Sequence, residues 1–188
     1  MKVLVAAASR HGSTWEIARV IGDTLVVWGA HVDMMHIEEV KSFAAYDAFI
    51  IGSAVYAGHW LRSALSFMHD HANELARHPV WLFSSGPLGD AGPAERKVAD
   101  IQHVAELVRI RDHCVFAGRL EPRRLGWIEK LITAIVGAPQ GDFRDWEAVR
   151  SWACGIARSL KRQAGARRPA QREAAARIHP RKQASKVQ

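Results

Sequence analysis

The stretch Lys2-Val3-Leu4-Val5-Ala6-Ala7-Ala8-Ser9-Arg10-His11-Gly12-Ser13-Thr14 decides how this chain is read. Val3 to Ala8 are apolar without a break, as in a strand covered on both faces. The polar residues after them run straight into Thr14 to Trp28, where Ile17, Val20, Ile21, Thr24, Leu25 and Trp28 recur at helical spacing before Gly29, placed as a C-terminal cap. A strand, a tight polar loop and a helix begin a βαβ unit. The free N–H groups of such a helix start favour an anion. Ser9, Arg10, His11, Gly12, Ser13 and Thr14 surround them with hydroxyls, a cation and a glycine. An ordinary turn capped by Ser13 or Thr14 is the competing reading. Neither the G-x-G-x-x-G nor the G-x-x-x-x-G-K phosphate pattern occurs.

Outward from this unit the alternation repeats. Further strands are expected at His31 to Ile37, Ala48 to Gly52, Val80 to Ser84 and Cys114 to Leu120. Helices are expected at Leu61 to Arg77, Ala94 to Val108 and Asp145 to Leu160, the last with Asp145 as N-cap, and a weaker helical pattern covers Glu38 to Tyr46. Strands apolar on both faces and separated by helices imply an α/β fold with a parallel sheet, whose ligands sit beyond the carboxyl ends of the strands. Two more polar, glycine-bearing loops fall at that edge. One is Ser53, Ala54, Val55, Tyr56, Ala57 and Gly58 with Trp60 close behind; the other is Ser84, Ser85, Gly86, Pro87, Leu88, Gly89 and Asp90. A single such loop means only a turn. Three at one edge point to a binding site.

Bulk properties narrow the class. The 188 residues, 48% of them hydrophobic, suit one domain with a substantial core. The net charge of +7 lies in the last segment, where residues 161–188 hold nine Lys/Arg and a single acid, Glu173. The rest is nearly neutral, with seventeen basic residues against eighteen acidic. No nucleic-acid recognition pattern accompanies the basic tail, which is expected to be mostly disordered because it is poor in apolar residues. Cys114 and Cys154 are forty residues apart without metal-ligand spacing, and His69 and His71 fall on different faces of a helix. No metal site is expected, and a reducing, cytoplasmic setting fits best. The apolar run at the N-terminus is shorter than a secretory signal requires, and no stretch approaches the roughly 20 apolar residues that cross a bilayer.

With these residues in place, the chain resembles the flavodoxins over about residues 1–160. The Ser9-Arg10-His11-Gly12-Ser13-Thr14 loop is similar to their T-x-T-G-x-T phosphate loop, with His11 where threonine is usual. The segments Tyr46-Asp47, Gly52 to Trp60, Phe116-Ala117-Gly118-Arg119-Leu120 and Asp142-Phe143-Arg144-Asp145-Trp146 further resemble the bacterial menaquinone-dependent protoporphyrinogen IX dehydrogenases, a flavodoxin-related family. The resemblance implies a three-layer sandwich with a five-stranded parallel sheet in the order 2-1-3-4-5, binding FMN. Residues 9–14 would hold its phosphate, 53–58 would border the ring with Tyr56 or Trp60 stacking, and 84–90 would meet its polar edge. Flavodoxins commonly place an aromatic residue in that last loop; none occurs here, which implies a flavin face open to substrate. The activity implied is oxidation of a porphyrinogen through FMN, with a quinone as acceptor. Arg62, Arg119, Arg123 and Arg124 are candidates for gripping substrate carboxylates. The alternatives are an electron carrier without its own substrate and a flavin-free interaction module.

One segment exceeds a minimal flavodoxin fold. Between about residues 121 and 141, Leu125, Ile128, Leu131, Ile132, Ile135 and Val136 share one helical face, preceded by Arg119, Arg123 and Arg124 and with Trp127 near the start. Packing on its own domain or in a homo-oligomer is the simpler expectation. Peripheral contact with a membrane face is the sharper one, and the resemblance to the protoporphyrinogen IX dehydrogenases implies an insert that approaches the quinone or the membrane.

Overall fold

A computed structural model describes residues 1–56, 58–86, 100–120 and 141–178, with side chains up to residue 165, that of Leu120 excepted. In chain order the elements are β1 (Lys2–Ala8), α1 (Ser13–Val27), β2 (His31–His36), a 3-10 turn (Ile37–Glu39), β3 (Ala48–Tyr56) and β4 (His59–Trp60). There follow α2 (Arg62–Asp70), α3 (Ala72–Leu75), β5 (Val80–Gly86), α4 (Ile101–Val108), β6 (Asp112–Ala117), β7 (Arg119–Leu120), β8 (Gly141–Asp142) and α5 (Trp146–Ile178).

Five strands pair in parallel in the order β2-β1-β3-β5-β6, which is the expected 2-1-3-4-5 order of the main strands. Successive residues of a strand point to opposite faces, and here both faces are dry. Val3, Val5 and Ala7 of β1 and Trp81 and Phe83 of β5 face one cluster, with Ile17, Ile21 and Leu25 of α1 and Val149, Ala153 and Ile156 of α5. Leu4, Ala6 and Ala8 face the other, with Phe67 and Met68 of α2, Leu75 of α3 and Val104 and Val108 of α4. The result is the three-layer α/β/α sandwich.

Several boundaries differ from the expectation, each for a local reason. The third strand runs four residues past Gly52, because Ser53 and Ala54 pair with Ser84 and Ser85, and Val55 and Tyr56 then fold back on Trp60 and His59 of β4. Gly52 itself lies under the Phe83 ring: a Cβ there would sit 2.0 Å from Phe83 Cζ. The fifth parallel strand begins earlier and ends at Ala117, after which Arg119 and Leu120 pair instead with Asp142 and Gly141. Glu38 to Tyr46 forms only a 3-10 turn before irregular chain. The Leu61 to Arg77 helix is split at His71. The last helix continues past Leu160 to Ile178: Lys161, Arg162, Gln163 and Ala164 favour a helix, and the helical backbone then runs on through Gly165 and Pro169. The backbone of the basic segment up to Ile178 is therefore helical, where disorder is the expectation from its composition. At the far end of α1 the expected cap is met: Gly29 (φ 89°) follows Trp28, and the Ala30 N–H reaches back to the Leu25 carbonyl. Residues 121–140, 179–188, 87–99 and Ala57 lie outside the described residues, and with them most of the insert, Arg123, Arg124, Pro87, Leu88, Gly89 and Asp90.

Candidate functional site

The β1–α1 loop is built around Gly12, whose φ of 86° is left-handed and costs glycine nothing. This turn aims the start of α1 at the carboxyl edge of the sheet. No side chain caps α1; its first internal bond runs from the Glu16 N–H to the Gly12 carbonyl at 2.9 Å. The Ser13 and Thr14 capping expected under the competing reading is not what these hydroxyls do. Ser13 Oγ instead accepts the Arg119 N–H at 3.1 Å, and Ser9 Oγ accepts the Gly12 N–H at 3.1 Å. Each hydroxyl keeps its own hydrogen to donate. The donor set of backbone N–H groups and hydroxyls beside Arg10 therefore suits an anion.

The second loop meets the first. Tyr56, at the end of β3, lies under the Arg10 guanidinium at 5.3 Å and edge-on to His11 at 6.5 Å between ring centroids. Cation–π attraction at such distances contributes about 0.5–1 kcal/mol. Tyr56 is thus held at the rim of the anion site.

Trp60 does not join them. As strand neighbours, His59 and Trp60 point oppositely; the indole goes inward, 3% exposed, and donates through Nε1 to Ser84 Oγ at 2.8 Å. Ser84 also contacts His113 Nε2 at 2.8 Å. Burial of His113 holds it below the ordinary imidazole range. Ser53 is likewise internal: its Oγ accepts the Leu61 N–H and donates to the Ala54 carbonyl. Trp60, Ser53 and Ser84 support the edge of the sheet from within. Ser85 is buried, and Gly86 allows a close backbone approach, with the Gly118 N–H bonded to its carbonyl at 2.7 Å. Gly58 is at positive φ in the turn before β4.

Of the arginines expected at substrate, Arg62 is exposed at the start of α2, whereas Arg119 is tied to α1 by an ion pair with Glu16 at 3.0 Å. That pair belongs to a network which the sequence pattern does not announce. Glu16 also binds Arg144, whose Nε donates to Asp142 Oδ1 at 2.7 Å, whose side chain is 3% exposed and whose guanidinium lies 4.4 Å from the Trp146 ring centroid. The Arg144 guanidinium pulls the Asp142 carboxyl below its usual range, and Asp142 raises Arg144 in turn. The network ties β7 and β8, the two ends of the insert, to the first turn of α1. Both arginines that hold Glu16 lie more than a hundred residues from it in sequence.

Among the described residues no group of His, Cys, Asp or Glu is arranged to hold a metal. No helix among them is long and apolar enough to cross a membrane.

The sequence profile of the flavodoxin-domain family matches residues 4–146. Among curated proteins, the protoporphyrinogen IX dehydrogenase [quinone] of Escherichia coli K12 is 25% identical over 174 residues, covering 84% of this chain and 95% of that protein. Among solved structures, an archaeal flavodoxin superposes with a TM-score of 0.57 at 15% identity, covering 86% of this chain and 99% of its own. The two-electron reduced flavodoxin of Megasphaera elsdenii gives 0.51 at 22% identity, covering 60% and 84%.

Proposed function

The chain belongs to the flavodoxin-domain family, and from that premise we propose that it is an FMN-dependent oxidoreductase that oxidises a porphyrinogen and passes the electrons to a quinone. The observation that carries the cofactor is the uncapped start of α1 behind left-handed Gly12, with Ser9, Arg10 and Ser13 around it. These residues fit a dianionic phosphate in charge, donor type and backbone freedom. In this reading Ser9 to Thr14 hold the phosphate, Tyr56 stacks on the flavin, and the Ser85 and Gly86 backbone faces its polar edge. Bound there, FMN supplies the two-electron chemistry that side chains lack.

The protein's own work is placement. Arg10 neutralises the phosphate and orders Tyr56, so that binding one end of the cofactor fixes the wall beside the other. The Glu16, Arg119, Arg144 and Asp142 network holds β7 and β8 beside the phosphate loop. The insert's ends are thereby brought next to the cofactor, and Arg62, exposed at the start of α2, is a cation for a carboxylate substrate. Support for porphyrinogen and quinone comes from the Escherichia coli relative, which the chain matches over nearly that protein's full length.

The test is anaerobic. The FMN-loaded chain is mixed with protoporphyrinogen IX, bleaching of the flavin band is followed, and a menaquinone analogue is added. Bleaching by the porphyrinogen and recovery on adding quinone support the reading. Flavin that binds but is not bleached would leave an electron carrier, the second reading.

A further inference from the structure

His59 stands at the same edge and has no part in the fold's interior. It lies opposite Tyr56 in the β3–β4 pairing, and because Trp60 points into the core, the His59 ring points outward with its side chain 61% exposed. Its Nδ1 is 3.2 Å from Asp100 Oδ2 and 3.3 Å from Oδ1. Asp100 sits immediately before α4, where an aspartate ordinarily caps the helix, yet it makes no cap bond to α4. It reaches forty residues back, accepting the Trp60 N–H at 3.1 Å as well as the His59 ring. A carboxylate can only accept, so the proton on neutral His59 belongs on Nδ1 and the lone pair is left on Nε2. The carboxylate thus fixes both the tautomer and the direction of the ring.

We propose that His59 is the proton-accepting catalytic residue of the flavin site, and that Asp100 is the residue that positions it. The proposal rests on the flavin-enzyme reading and adds the group which that reading lacks, since removing two electrons from a porphyrinogen also frees a proton. A substrate C–H bond breaks and its hydrogen leaves with the electron pair to FMN. A ring N–H proton passes to His59 Nε2, and a double bond forms between the carbon and the pyrrole ring. The substrate is oxidised by two electrons and FMN is reduced by two. When the quinone is reduced, it takes the hydrogen and electron pair from the flavin and the proton from His59, which returns both to their starting states.

Two measurements test this. In the flavin-free chain, hydrogen–nitrogen correlation spectra of the His59 ring should show the proton on Nδ1 and a bare Nε2. D100N, whose amide can still accept the Trp60 N–H, should lower the population of that tautomer. In the FMN-loaded chain, His59→Ala should slow flavin reduction by protoporphyrinogen IX about a hundredfold, the size expected for a lost general base. Added imidazole should restore at least part of the rate, and FMN affinity should change less than about twofold. An unchanged rate in His59→Ala, a loss that imidazole does not rescue, or a tautomer indifferent to D100N would overturn the proposal. Absence of FMN binding in the unsubstituted chain would instead defeat the reading beneath it.

Discussion

Gly12 and Gly52 are both glycines for steric reasons, but they protect different things. Gly12 spends its freedom on a left-handed turn that aims the α1 start at the ligand edge. Gly12→Val should cost about 1–2 kcal/mol of backbone strain, and circular dichroism should show a folded protein whose FMN affinity has dropped about tenfold or more. Gly52 lies under the Phe83 ring in the middle of the sheet. Gly52→Ala should therefore act on stability, by about 3 kcal/mol of overpacking, read as an early denaturant midpoint. Legibility divides along the same line. The phosphate loop is readable because a hydroxyl- and glycine-rich run between strand and helix has a physical meaning of its own. The place of Trp60 is not readable: whether it or His59 points outward depends on the register with Tyr56 and Val55, which only the folded hairpin sets.

Between elements, the informative feature is the joint made by β7, β8 and the first turn of α1. Arg144 is nearly fully enclosed, while its partners Glu16 and Asp142 have side chains 39% and 43% exposed. Arg144→Ala therefore forfeits a network only partly shielded from water, about 2 kcal/mol, less than for a fully buried pair. Thermal unfolding should show that loss. Because Leu120 pairs with Gly141, replacing residues 121–140 by Asn-Gly closes β7 and β8 with a two-residue turn. That variant should fold and bind FMN within about threefold of the full chain by titration. A collapse of FMN affinity would show that the insert takes part in holding the cofactor. The joint could be anticipated only as a resemblance at Asp142-Phe143-Arg144 and Gly118-Arg119-Leu120; its two ion pairs to Glu16 span more than a hundred residues, beyond any local pattern. The strands and α1 were legible from periodicity, because burial on both faces leaves long apolar runs that helices interrupt.

Across the molecule, acid should weaken the fold in two stages. His113 has a folded pKa depressed by burial, so the unfolded chain binds its proton first. Its share of stability is present above the free imidazole value of 6.5 and is lost as pH falls through the lower folded value. Asp142 and Asp33, held low chiefly by hydrogen bonds from Arg144 and Lys2, lose theirs only below the ordinary carboxylate value of 3.8. Denaturant midpoints measured from pH 8 downward should fall first near neutrality and again in strong acid, and His113→Gln should remove the first step alone. At this scale the order of the sheet followed from the resemblance, and its parallel, doubly covered character from the residues themselves. The course of the last helix was not legible, because a basic, alanine-rich segment reads as a solvated tail whether or not its backbone is helical.

All of this turns on the anion site at the start of α1. The most direct measurement is titration of the flavin-free chain with FMN, following flavin and tryptophan fluorescence together, alongside Gly12→Val. Saturable one-to-one binding with flavin quenching is expected, weakened in the variant. FMN that fails to saturate at high micromolar concentration, or that binds both chains alike, would contradict it.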